Sequence, residues 1–290
     1  MRLKFYKMQG CGNDFLILDY VNADPPRVYA NEVGFLCDRH FGIGADGLVI
    51  LHSSKEPGID AAWTFYNSDG SEAQMCGNAA RCAIRFLAEK YADPDSVVSL
   101  RTKAGIIKGR KLEDGRIEIA LFHKGDAPFR FEECIIKTSE HMFTAHLINT
   151  GVPHAVLEVK DILTYPIDKV GKMLVHHDLF GADGSNITFF QKGVGQKIRS
   201  TTFERGVERE TFACGTGAVA AAIVHSELYF QPFPINVLVP GGELAVDISP
   251  VSKMVLLQGS ALHVMSVDID EIPQDYDRPL LYGDSKADQQ

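Results

Sequence analysis

Apolar positions along the chain fall into short runs, interrupted by two longer stretches with helical spacing. Leu3 to Tyr6 and Phe15 to Asp19 flank the Gly10-Cys11-Gly12-Asn13-Asp14 turn, which predicts two strands. Asn31 to Cys37 predicts a short helix that ends near His40-Phe41-Gly42. Leu48 to His52 and Ala61 to Asn67 read as strands, and the turn cluster Asn67-Ser68-Asp69-Gly70-Ser71 follows. From Cys76 to Tyr91, residues Ala80, Ala83, Ile84, Leu87 and Ala88 recur every three or four positions, the spacing of an amphipathic helix. Ile106 to Lys108 and Ile117 to Leu121 predict a hairpin around Asp114-Gly115. The second half repeats this plan. Cys214 to Leu228 is its helix, and Val237 to Ile248 its hairpin around Pro240-Gly241-Gly242. Short strands with one long helix per half predict an α+β fold, each half a curled, mostly antiparallel sheet around a central helix.

The repetition extends to residue identity. Gly12-Asn13-Asp14-Phe15 faces Gly151-Val152-Pro153-His154 at an offset of 139, and Gly44-Ala45-Asp46-Gly47 matches Gly181-Ala182-Asp183-Gly184 at 137. Cys76-Gly77 and Cys214-Gly215 follow at 138, each with a glutamate four residues upstream, Glu72 and Glu210. Common order and nearly common offset indicate a tandem duplication and two pseudosymmetric domains, residues 1–122 and 123–260. The turn-rich Lys124-Gly125-Asp126-Ala127-Pro128 marks the boundary. The polar, acidic tail 273–290 is expected to be disordered.

Composition narrows the function classes. Over 290 residues the chain is 45% hydrophobic and 23% charged, as in a soluble globular protein. A net charge of -9 leaves no electrostatic footprint for nucleic acid or for an anionic membrane surface. The opening Met1-Arg2-Leu3-Lys4-Phe5-Tyr6-Lys7 lacks the apolar core of a signal peptide, and a cytoplasmic location is expected. None of the six cysteines forms a Cys-x-x-Cys pair, so no zinc site is expected. Cys11, Cys37, Cys82 and Cys134 read as buried apolar cysteines; His176-His177 reads as solvated.

Cys76 and Cys214 differ from the other four, because each opens a helix. Unpaired N–H groups and the macrodipole favour a thiolate there. Gly77 and Gly215 let a substrate approach the backbone, and the first-turn N–H groups suit a carboxylate. Two such thiols facing one carbon would remove an α-proton from one side and return it on the other, with no metal and no pyridoxal phosphate. Two other readings stay open at this point. A redox switch would join the cysteines in a disulfide, and a small-anion binder would use only the helix ends.

The chain resembles diaminopimelate epimerases at Gly12-Asn13-Asp14-Phe15, Gly42-Ile43-Gly44-Ala45-Asp46-Gly47, Asn67 to Glu72, Met75-Cys76-Gly77-Asn78, Phe203-Glu204-Arg205-Gly206 and Ala213-Cys214-Gly215-Thr216-Gly217. The resemblance implies a cofactor-independent epimerase that interconverts LL- and meso-diaminopimelate for lysine and peptidoglycan synthesis. It also implies a homodimer, and a last strand near 261–270 that returns to the N-terminal domain. It makes Cys76 and Cys214 the two bases. Gly77, Asn78, Gly215 and Thr216 would hold the reacting carboxylate. Asn13, Asn67, Asn186, Glu204 and Arg205 would contact substrate, and His154 and Glu204 would tune the thiols. Plainer roles compete for some of these: a turn residue for Asn13, Asn67 and His154, and a surface pair with Glu208 for Arg205. A two-cysteine racemase for proline or glutamate is the runner-up. Val152 stands where many members carry Asn, and Gly47 where some carry Gln.

Overall fold

The computed structural model describes residues 2–93, 95–124 and 129–273. The first run of elements is β1 (Leu3–Gly10), β2 (Asn13–Tyr20), α1 (Ala30–Cys37), β3 (Gly47–His52), β4 (Ala61–Asn67), β5 (Glu72–Ala73), α2 (Gly77–Lys90), β6 (Val98–Thr102), β7 (Gly105–Lys111) and β8 (Ile117–His123). The second is β9 (Glu132–Lys137), β10 (Met142–Asn149), β11 (Pro153–Glu158), α3 (Ile167–Leu174), β12 (Asn186–Lys192), β13 (Lys197–Glu204), β14 (Arg209–Glu210), α4 (Gly215–Tyr229), β15 (Ile235–Val239), β16 (Gly242–Ile248) and β17 (Met254–Gly259). A last strand, β18 (Leu262–Ile269), follows.

Pairing repeats between the runs. β1–β2 is antiparallel, β2–β3 parallel, β3–β4 antiparallel, β4–β6 parallel, and β6–β7–β8 antiparallel. The same directions recur through β10–β11, β11–β12, β12–β13, β13–β15 and β15–β16–β17. Three pairings close the arrangement. β8 lies antiparallel to β17 and joins the runs, β9 adds to β10, and β18 returns to β1. The result is a two-domain α+β fold.

Each long helix runs inside its own curled sheet, α2 against β1, β7 and β8 and α4 against β11, β12, β13 and β15. The apolar face read from α2 is buried, but so are Asn78, Arg81 and Cys82. α4 is buried on all sides from Gly217 to Ser226, and its Ala218 to Ala222 stretch lets strands close around it. Ala79 to Leu87 and Ala218 to Val224 belong to one core with Ile119, Leu244 and Leu257. Each large aliphatic side chain withdrawn from water there contributes roughly 1.5–3 kcal/mol. Separate cores lie under α1 and α3.

The repeated Gly-Ala-Asp-Gly loops do not superpose in register. Gly47 begins β3 directly and pairs with Phe15, whereas Gly184 ends two residues before β12, and Asn186 pairs with His154. Asn186 therefore occupies the place of Gly47, and Phe15 that of His154. The tail expected to be disordered lies, apart from Pro273, outside the described residues, as do residues 125–128 of the boundary segment.

Candidate active site

Cys76 and Cys214 are the N-cap residues of α2 and α4, both extended in backbone, so each sulfur sits at the mouth of unpaired helical N–H groups. The two helix ends face each other. A methyl group at Gly215 would lie 4.0 Å from the Gly77 Cα and 3.0 Å from Leu257 Cδ2. One at Gly77 would lie 3.8 Å from the same Leu257 atom. Cys76 and Cys214 are half-buried residues, as is Cys134, for which full burial was expected; Cys11, Cys37 and Cys82 are buried. Burial pushes the Cys76 thiol up. The N–H groups of Ala79 and Asn78 pull it down, Glu204 adds to the rise, and the Arg81 charge, the last of these influences, opposes it. Burial also pushes Cys214 up, and there the Glu204 carboxylate is the next cause. The Thr216 hydroxyl, 3.4 Å from Sγ, and the Gly217 N–H, also at 3.4 Å, oppose it.

His154 and Glu204 both stand on the Cys214 side. The parallel register of β11 and β12 and the antiparallel register of β12 and β13 stack His154 beside the Thr188–Thr202 pair. His154 Nδ1 lies 2.9 Å from Thr188 Oγ1, and Nε2 lies 3.0 Å from Thr216 Oγ1. Thr188 and Thr202 are 3.1 Å apart, so hydroxyls and imidazole form one chain that ends at the Cys214 sulfur. Burial and then the Arg205 charge hold His154 at about 3, so it is neutral near pH 7. It is 1% exposed and lies within β11 rather than in a turn. Glu204 accepts a hydrogen bond from the Thr211 hydroxyl, and burial raises its carboxyl above the ordinary range.

Asn78 connects the halves. Its Nδ2 donates to Asn13 Oδ1 at 3.0 Å and to the carbonyl of Ala213, next to Cys214, at 2.7 Å. Asn13 in turn donates to Asp46 at 2.6 Å, and its Oδ1 lies 3.8 Å from the Cys76 sulfur. Asp46 and Asp14 are held by Arg39, and Lys7 pairs with Asp14. Asn186 Oδ1 accepts from the Arg205 N–H at 3.0 Å. The Arg205 guanidinium meets only the carbonyls of Asp183, at 2.7 Å, and Gly184, at 3.3 Å. Among the described residues no carboxylate pairs with it. Glu208 bonds to His176 and to the Gly206 N–H instead. Asn67 stands apart from this network: its amide donates to Ser71 Oγ at 3.0 Å, as a turn residue does.

The family model for diaminopimelate epimerase matches residues 5–129 and 146–264. This chain belongs to the diaminopimelate epimerase family. A relative named diaminopimelate epimerase from Aquifex aeolicus is 37% identical over 285 residues, covering 94% of this chain and 100% of its own length. Another of that name, from a Hydrogenobaculum species, is 35% identical and covers 89% of this chain and 95% of its own. Solved structures show the fold more widely. A hydroxyproline epimerase from Agrobacterium vitis has a TM-score of 0.64 at 17% identity, covering 92% of this chain and 91% of its own. A PhzF-family phenazine biosynthesis protein from Enterococcus faecalis has 0.64 at 15%, covering 93% and 99%. Beside these family positions the site holds polar groups that no motif in the sequence marked. The hydroxyls of Thr188 and Thr202 enter only through strand register. Arg81 enters only because a helical side chain leans toward the N-terminus of its helix.

Proposed function

We propose that this chain interconverts LL-2,6-diaminopimelate and meso-diaminopimelate without a cofactor, for lysine and peptidoglycan precursor synthesis, and acts as a cytoplasmic homodimer. The observation that carries this reading is a pair of thiols at two facing helix N-termini, with glycine next to each. The reacting α-carboxylate sits between the first turns and takes hydrogen bonds from the N–H groups of Gly77, Asn78, Gly215 and Thr216. A thiolate on one face removes the α-proton. The electron pair left on carbon delocalises into the carboxylate, where the same N–H groups stabilise the growing charge; a single such donor is typically worth about 10²–10³ in rate. The thiol on the other face delivers its proton to that carbon. The configuration inverts, and thiol and thiolate have exchanged roles with no net redox change.

The two thiols start unequal. Glu204 is the largest influence after burial on Cys214 but ranks behind two backbone N–H groups at Cys76, which favours Cys76 as the resting thiolate and Cys214 as the resting thiol. His154 keeps Thr216 oriented toward Cys214. The unpaired Arg205 guanidinium suits a bidentate grip on the distal carboxylate, which proline does not have. Asn186 fixes the Arg205 backbone, Asn13 lies beside the Cys76 sulfur, and Asn67 is carried as a substrate contact by the family motif alone. Domains 1–122 and 123–260, the first completed by 261–270, would contribute one cysteine each.

Proton NMR of LL-diaminopimelate with reduced, metal-free protein in D₂O tests the reading. Loss of one α-proton signal with formation of the meso isomer is expected. Exchange with proline or glutamate but not with diaminopimelate would transfer the function to the racemase reading, and exchange with none of them would end the two-base reading.

A further inference from the structure

Arg81 is fully buried, and every partner its guanidinium has among the described residues is neutral. Nη2 donates to Asn78 Oδ1 at 2.8 Å and lies 3.7 Å from the Cys11 sulfur, Nε reaches the Ser260 carbonyl at 3.5 Å, and Nη1 has no partner. Buried charge is costly unless a nearby group offsets its lost hydration. The helix does not supply that offset. Arg81 points back under the first turn of α2, where the macrodipole is itself positive. Backbones on two strands nevertheless leave space for the guanidinium: a methyl group would come within 3.4 Å of Nη2 at Gly10 and within 3.1 Å of Nε at Gly259. The equivalent position of α4, at the offset of the two cysteines, is Val219, a buried apolar residue. One helix end of the pair therefore carries a fixed internal cation and the other does not.

We propose that Arg81 is a positioning residue for the Cys76 half of the reaction: its guanidinium fixes the Asn78 amide that bridges Asn13 to Ala213, and its charge stabilises Cys76 as a thiolate. The proposal rests on the two-base reading above. The amide argument is one of donors and acceptors. A guanidinium can only donate, so Asn78 must turn its oxygen toward Arg81 and its nitrogen toward Asn13 Oδ1 and the Ala213 carbonyl. A single cation thus sets the orientation of a side chain that touches the backbone beside the opposite cysteine. The charge argument runs through the same turn. With Cys76 protonated the cation has no counter-charge; with Cys76 ionised it has one. The Arg81 charge opposes the rise that burial and Glu204 impose on Cys76.

The test is the pH dependence of Cys76 alkylation by iodoacetamide in a Cys214→Ser background, read by peptide mass spectrometry. It needs no substrate, so its outcome is separate from that of the epimerase reading. Arg81→Met is expected to raise the alkylation midpoint by about one pH unit, a tenfold loss of thiolate at a fixed pH, and Arg81→Lys to restore most of it. With both cysteines present, Arg81→Met should lower kcat about tenfold and change KM far less. An unchanged midpoint in folded Arg81→Met protein overturns the proposal. Should that variant not fold, Arg81→Gln decides, because its amide can still donate to Asn78 Oδ1 but carries no charge. The midpoint then rises if the proposal holds and stays put if it does not.

Discussion

Cys76 and Cys214 occupy equivalent caps but meet different charges, and the difference is testable one side chain at a time. Glu204 is the first cause after burial that raises Cys214. Glu204→Gln, in a Cys76→Ser background, should therefore lower the pH midpoint of Cys214 alkylation, by about one unit for a nearby like charge. An unmoved midpoint would mean that Glu204 is protonated in the resting site. His154 carries a second prediction, for stability. Its folded value of about 3 lies well below its ordinary 6.5, so between those limits the unfolded chain binds the extra proton. Its contribution is complete above pH 6.5 and declines as pH falls toward 3, by at most about 1.4 kcal/mol per pH unit. Urea unfolding from pH 7.5 to 4.5 should show the advantage of the native protein over His154→Gln shrinking below pH 6.5. Parallel curves would contradict a neutral, buried imidazole.

The helix ends set what each glycine tolerates. A methyl at Gly77 meets only ordinary contacts, 3.8 Å to Leu257 Cδ2 and 3.9 Å to Ile119 Cδ1. Gly77→Ala should therefore keep or slightly raise stability, by up to about 1 kcal/mol, while kcat/KM collapses because the methyl stands where the substrate carboxylate approaches. A methyl at Gly217 would lie 2.2 Å from Thr202 Oγ1 and 3.1 Å from Thr188 Oγ1. Gly217→Ala should cost about 1–3 kcal/mol and displace the threonines that hold His154. Thermal unfolding alongside activity separates the two; equal losses of stability would refute the distinction. These elements were largely legible in the sequence. The periodicity from Cys76 and the alanine run after Cys214 located both helices within a residue or two, because capping and burial are local. The misplaced register of Gly184 was not legible, since identity cannot tell on which side of a loop two extra residues fall. Nor were Thr188 and Thr202, which reach the site through pairing between strands, or the Asn78 side chain, whose partners lie 65 and 135 residues away. The Asn67 bond to Ser71, by contrast, follows directly from the turn cluster at Asn67-Ser68-Asp69-Gly70-Ser71.

At the scale of the molecule, the question is what holds two half-sites at one spacing. The strand that follows β8 and the strand that follows β17 each join the other half: β9 adds to β10 and β18 adds to β1, while β8 and β17 themselves pair along a seam. Leu257 lies on that seam opposite Ile119, is fully buried, and sets its Cδ2 methyl against both Gly77 and Gly215, at the first turns of α2 and α4. It comes from the second half but touches the helix ends of both, which makes it the expected spacer between the thiols. Leu257→Ala should cost about 2–5 kcal/mol, as for other buried leucines. It should also relax the separation of the helix ends, and a misplacement near 1 Å is enough to cost about 10² in rate. Leu174 provides the control, because it is equally buried but in the core under α3, away from both cysteines. Leu174→Ala should lose comparable stability and keep kcat near the parent value, when both variants are assayed where they are fully folded. If the two variants lose kcat equally, loss of global rigidity explains the effect and Leu257 is no spacer. If only Leu257→Ala loses it, the seam sets the geometry in which one carbon can meet two thiols.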